Sequence, residues 1–241
     1  MFIGSGTLIN VIAVLIGSTI GVFIAHRLNE KIRDVVTDGL GLATGMIAVL
    51  TTAAITNPLL PQTLGAGKPV LIVLASVVIG GMLGTAMRIE ERLEAFGDRL
   101  KARFSGEDGS RFTEGFVAAS LLFCVGAMSV LGPITDGLGE GNEILVLKST
   151  LDFFASIAFA SVFGWGVAAS VLTIMVFQGS LTLLGYALGN FMSEVQVLML
   201  SATGGLLILG ISLRLLNLKQ IPVGNMLPAL VLAPLLAGVF S

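Results

Sequence analysis

Lys148 and Asp152 are the two residues best placed to do chemistry, because they stand four apart inside an otherwise apolar run. On a helix that spacing puts an ammonium and a carboxylate on one face, where they can pair. Ser149, Asp152 and Ser156 recur at three and four, so a second carboxylate-and-hydroxyl stripe follows the same helix. Carboxylate and hydroxyl oxygens, with backbone carbonyls freed at helix breaks, suit a hard cation or a proton. Asp152 is the obvious negative charge, so a cation or proton is the expected occupant. The bland alternative is an interfacial Lys-Asp pair near the outer headgroups.

Other polar residues in apolar runs are Asn10, Ser129 and Gln178. Buried amides most often tie helices together; in a site they would line the path of a solute. The run Asp136, Glu140 and Glu143 reads as an outer loop that funnels cations or is simply solvated. Nucleophilic catalysis has no support, since the single His26 sits beside Arg27 at a helix end, remote from any serine. The chain is therefore expected not to be an enzyme. One Cys and one His exclude a zinc pattern, and no cofactor motif stands up: Gly39 to Gly45 only superficially resembles a dinucleotide fingerprint. No metal and no cofactor are expected.

The elements that position these residues are membrane spans. Of 241 residues, 55% are hydrophobic and 12% charged, with mean hydropathy +0.98. A soluble domain carries roughly 25% charged residues, so the solvent of this chain is lipid. Candidate spans cover 5–26, 38–57, 69–89, 113–133, 145–164, 166–190, 196–216 and 222–240, each near the ~20 residues that cross a bilayer. The uncharged run from Phe153 to Gly189 is too long for one span, and Gly164-Trp-Gly166 is its expected break. The eighth span is interrupted by Pro222, Pro228 and Pro234. The fold class is thus an all-α polytopic membrane protein with seven to eight transmembrane helices, in one integral membrane domain spanning 1–241. Met1 to Ala25 lacks a basic leader and is expected to remain as the first span.

Of the 13 Lys and Arg residues, 11 fall after spans 1, 3 and 7. The other two are Lys68 and Lys148. Basic loops stay cytoplasmic, which puts both termini outside a cell (inner) membrane and the segment Arg88–Arg111 inside. That segment alternates charge with Leu93, Phe96, Leu100 and Phe104 and reads as an amphipathic extension of span 3. A net charge of -2 argues against nucleic acid as a partner.

Internal repeats set the architecture. Ile16-Gly17-x-x-Ile20-Gly21, Ile79-Gly80-x-x-Leu83-Gly84 and Leu184-Gly185-x-x-Leu188-Gly189 share one pattern. The following spans repeat as well, at Gly45 to Thr51, Gly126 to Gly132 and Gly204 to Gly210. Spans 3–5 and 6–8 are then two copies in inverted orientation, and spans 1–2 a truncated third, giving units 1–67, 68–165 and 166–241. Gly132, Pro133, Pro222 and Gly224 mark helix breaks at matching positions, which in transporters point to the binding site. Both breaks are expected beside one cavity lined by Asp152, Ser156, Ser129 and Gln178.

Phe123 to Gly179 also resembles a family of uncharacterised prokaryotic membrane proteins, domain of unknown function family 554, the YdfK/YqgA type. The matching residues are Gly126-Ala-Met128, Leu131-Gly-Pro133, Asp136-Gly137, Lys148-Ser149, Leu151-Asp152, Phe159-Ala-Ser161, Gly164-x-Gly166-Val167 and Gln178-Gly179, with Asn10 and Gly17-x-x-x-Gly21 in span 1. The family label implies a transport protein but no substrate and no site residues. Phe153 departs from the pattern where a small residue is expected, which would narrow a cavity beside Asp152. The function expected is a small membrane transporter or channel for an ion or small polar solute, in the lipid bilayer as a homodimer. The rival is a non-transporting scaffold or accessory subunit.

Overall fold

The computed structural model describes residues 2–25, 30–92, 95, 99, 111–124, 127–139, 141–188 and 192–240. It is all-helical, without a strand among the described residues. The helices are α1 (Ser5–Ala25), α2 (Glu30–Thr52), α3 (Leu59–Leu64), α4 (Lys68–Ala86), α5 (Phe112–Cys124), α6 (Ala127–Leu138), α7 (Glu143–Phe163), α8 (Trp165–Ala169), α9 (Val171–Leu188), α10 (Glu194–Leu215) and α11 (Ala229–Phe240). Short 3-10 turns occupy Ala53–Thr56 and Val223–Met226. Among the described residues seven stretches are long and apolar enough to cross a membrane, Trp165–Ala187 and Val223–Phe240 being two of them. The pair α5–α6, bent by 60°, is an eighth if it is one span. Ile12, Ile16 and Phe23 of α1, and Leu151 and Phe154 of α7, are exposed, a surface suited to lipid rather than water.

The breaks have local causes. Gly164 takes φ +67 and ends α7, at the break the sequence predicts. Ser193 and Gln196 form a reciprocal capping box that starts α10. Pro222 leads into the 3-10 turn holding Gly224, so that break is also present. Gly132 and Pro133 behave otherwise: both lie inside α6, and the bend falls earlier, between Cys124 and Met128. Leaving the helix at Pro133 would strand several backbone groups in lipid, whereas staying costs one hydrogen bond. The Thr135 hydroxyl donates to the carbonyls of Leu131 and Gly132 at 3.0 and 2.9 Å, neither of them the Ser129 carbonyl that Pro133 frees. The amphipathic segment expected over 88–111 lies largely outside the described residues, as do His26 and Glu140.

Contacts divide the chain into two compact, interleaved units. One holds 1–40, 94–124 and 128–191; the other holds 41–93, 125–127 and 192–241. The repeat units expected from the sequence are consecutive, and this grouping cuts across them.

In the first unit α1 and α7 run parallel. Gly6 meets Leu145, Gly17 meets Phe153 and Ser156, and Gly21 meets Ile157 and Ala160. A methyl group at Gly17 would overlap the Phe153 carbonyl, so glycine lets the backbones touch. The bent pair α5–α6 runs alongside α8–α9 in the same direction. Phe112 lies at Gly166, Ser120 is 3.0 Å from Thr173, and Gly137 lies at Thr182.

In the second unit α4 and the stretch Val223–Phe240 are antiparallel, Gly80 meeting Ala229 and Gly84 meeting Asn225. The helix α10 opposes both α11 and α2: Gln196 donates to the Pro234 carbonyl at 3.2 Å and Ser212 to that of Gly41 at 2.7 Å. Its core is apolar, with Leu60, Leu64, Ile72, Val73, Val195, Met199, Ala202 and Ala237 packed together.

Candidate functional site: a buried polar cluster in the first unit

Lys148 and Asp152 lie on the buried face of α7, the sixth and tenth of its 21 residues. At 1.5 Å per residue, Asp152 sits about 13 Å along a helix of about 31 Å, near mid-span. The ammonium donates to Asp152 Oδ2, and both side chains are at least nine-tenths buried. A charged pair at this depth costs several kcal/mol to desolvate and persists where it is paired or solvated. The Phe123 ring lies 5.9 Å from Lys148 Nζ, a weak cation-π contact from the last turn of α5, just ahead of the α5–α6 bend. Ser129 Oγ donates to the Phe123 carbonyl at 3.0 Å, tying that turn to α6.

The parallel register brings Asn10 of α1 beside the Asp152 carboxyl. Asn10 has no exposed surface; its side chain lies within hydrogen-bonding range of the Asp152 carboxyl, and its amide makes no other hydrogen bond. Gln178 of α9 is also fully buried, and neither of its amide atoms has a hydrogen-bond partner. Its neighbour one turn on, Thr182, donates to the Gln178 carbonyl at 2.9 Å and lies 3.5 Å from Thr7 Oγ1. Thr7 is one turn before Asn10. Because α1 and α9 run in opposite directions, that threonine contact sets Asn10 and Gln178 at one level. Most buried polar side chains are hydrogen-bonded, so the open Gln178 amide at the level of Asn10 stands out in the first unit.

Ser149 and Ser156 are buried too, but their hydroxyls donate to carbonyls of their own helix, Leu145 at 2.6 Å and Phe153 at 2.8 Å. They retain only lone pairs for another partner. Asp152, Lys148, Ser149, Ser156, Ser129, Gln178 and Asn10 therefore all belong to the first unit. Gly132 and Pro133 belong to it as well, while Pro222 and Gly224 belong to the second. The Phe153 ring stands edge-on to that of exposed Phe154, centroids 5.2 Å apart.

Asp136 differs from the loop residue the sequence suggests. It is buried in α6, where its carboxylate accepts from the Gly4 and Gly6 backbone N–H groups at 3.2 and 3.0 Å. It thereby caps the start of α1, where unpaired N–H groups and the helix dipole favour a negative charge. Asn142 adds a 2.8 Å bond to Ser5 Oγ. No sequence signal links residues some 130 positions apart, so neither contact was legible beforehand.

Fold and site together define a polytopic helical membrane protein with a polar cluster in mid-span. The chain belongs to the family described as "Protein of unknown function (DUF554)", whose model matches residues 5–238. It is 31% identical over 229 residues to the "Uncharacterized membrane protein YdfK" of Bacillus subtilis, covering 95% of this chain and 93% of that one. It is also 31% identical over 240 residues to the "Uncharacterized protein YqgA" of Escherichia coli, covering 98% and 97%. No solved structure matches it.

Proposed function

We propose that this protein is a small, non-catalytic membrane transporter or channel for an ion or small polar solute. The observation that carries this reading is the buried mid-helix cluster: a Lys148–Asp152 pair with Asn10 of α1 at its carboxyl, and the fully buried, unpartnered Gln178 amide of α9 at the level of Asn10. Polar groups at that depth generally mark solute paths, and transporters bind near the midplane.

Helix directions inside each unit support eight crossings. The helices α1 and α7 are parallel, which requires three passes between them: α2, α4 and the bent pair α5–α6. In the second unit α2 opposes α10, and α4 opposes α11, which again requires the bent pair to cross. With eight passes both termini share a side. Lys148 lies within a span and leaves the charge count, so 11 basic residues oppose Lys68 alone. This favours cytoplasmic basic loops, termini outside, and residence in the inner membrane.

An inverted repeat is part of the same proposal. The first unit combines the second and third helices of one copy (α5–α6 and α7) with the first of the other (α8–α9). The second combines α10 and α11 with α4. In each, the first-position helix runs with the second and against the third, as two inverted copies that exchange a first helix require. A homodimer in the bilayer completes the reading.

Purified protein reconstituted in liposomes tests it. Passage of at least one ion or polar solute above protein-free vesicles, reduced by Asp152→Asn, is expected; no passage of any solute makes the chain a scaffold or accessory subunit. In a Cys124→Ala background, Ser105→Cys should label only from inside and Ala66→Cys only from outside. Labelling of Ser105→Cys from outside overturns the orientation.

A further inference from the structure

Resting on the transport reading above, we infer that the cluster takes a small uncharged solute that both donates and accepts hydrogen bonds, of the amide or polyol class, rather than an ion. The sequence draws attention to Asp152 as a lone negative charge. The structure pairs it with Lys148, and the site as a whole carries no net charge. A cation approaching Asp152 meets the ammonium, and an anion approaching Lys148 meets the carboxylate; at short range in a low-dielectric interior each repulsion is large.

What the site leaves unmet is neutral hydrogen bonding. Gln178 presents one carbonyl oxygen and one NH2 group, both enclosed and without a partner, and Asn10, set against the Asp152 carboxyl, has hydrogen-bonding capacity left over. They face the same level from α1 and α9, and Asn10 borders the ion pair. Ser18, two turns further along α1, is also buried with an unpartnered hydroxyl and continues the line. A solute with both a donor and an acceptor satisfies the two amides together, which a bare ion cannot do. Asn10 reaches the Asp152 carboxyl on α7, whereas the Gln178 amide bonds to no neighbouring helix.

Two properties follow that a structural tie would not have. Gln178→Leu and Gln178→Met each remove a buried amide without a partner, so the purified protein in detergent should melt higher, by roughly 2–4 °C, whereas Asn10→Leu also takes a neighbour from the Asp152 carboxyl and serves the flux measurement alone. The same variants should pass uncharged solute at least about tenfold more slowly, as sites built on hydrogen bonds do when a partner is deleted.

Stopped-flow light scattering of proteoliposomes with glycerol, urea or acetamide, set against sodium and potassium flux in the same vesicles, reads the second property. The expected result is protein-dependent passage of one or more uncharged solutes with little ion flux, lost in the Gln178 and Asn10 variants. Ion flux without uncharged-solute flux overturns the inference and leaves transport standing. Passage of neither ends both. Gln178 variants that melt lower than the parent protein make that amide an interhelical tie and overturn the assigned site.

Discussion

The two units use charge in opposite ways. In the first, Lys148 and Asp152 are buried in mid-helix, with Asn10 and unpartnered Gln178 at hand. In the second, the core is aliphatic and the ion pair lies at helix ends. There Arg214 Nη1 donates to Glu90 Oε1 at 2.8 Å and to the Ile221 carbonyl at 3.2 Å, with side chains 24% and 16% exposed. Glu90 N–H donates to Asn225 Oδ1 at 2.9 Å, so the second unit's polar bonds gather where α4, α10 and the 3-10 turn end. Both units bury hydroxyls inside their helices, Ser18 in the first and Ser76 and Ser201 in the second, but the first adds an ion pair and amides there, while the Arg214–Glu90 pair of the second lies at helix ends. The proposed site rests on that difference in where the charged pair lies.

The largest effect that would sharpen this contrast comes from breaking the buried pair. Lys148→Met or Asp152→Leu alone leaves one buried charge unpaired and should cost about 3–5 kcal/mol. The double variant should regain most of that stability in thermal unfolding while remaining inactive in flux. Additive losses in the double variant would mean the two residues do not act as a pair.

The glycine seams come next. Gly84→Ala pushes a methyl group onto the Asn225 carbonyl, and Gly17→Ala onto the Phe153 carbonyl and the Ser156 hydroxyl. Overpacking of this kind costs about 1–3 kcal/mol. Gly84→Ala should fall at the upper end, because backbone alone opposes it and no side chain can turn away. A loss at Gly17 well above that at Gly84 in melting measurements would reverse this ranking.

The smallest effect is expected at the second unit's own ion pair. Glu90→Gln or Arg214→Gln should change stability by about 1 kcal/mol or less, as partly exposed pairs do, and by less still in high salt. Losses comparable to those at Lys148 would erase the distinction between a buried working pair and a peripheral one.

The sequence alone determined the solvent, the helices and most of their ends. Long uncharged runs admit only helices in lipid, and Gly164, Ser193-x-x-Gln196 and Pro222 punctuate the chain through φ, capping and a missing N–H. The Lys148–Asp152 pair was also legible, because i, i+4 spacing is a local property. Pro133 misled, since a lost hydrogen bond is a small cost beside leaving a helix in lipid. Only the tertiary structure decided that Asp136 caps a helix 130 residues away, and that Asn10 and Gln178 reach the level of Asp152. It also decided that the units interleave instead of following the repeats. These are matters of which helix faces which. Inside lipid an apolar face gains little by choosing another apolar face, so hydropathy carries no pairing information, and the choice falls to glycine contacts and a few buried polar groups that only the packed structure brings together.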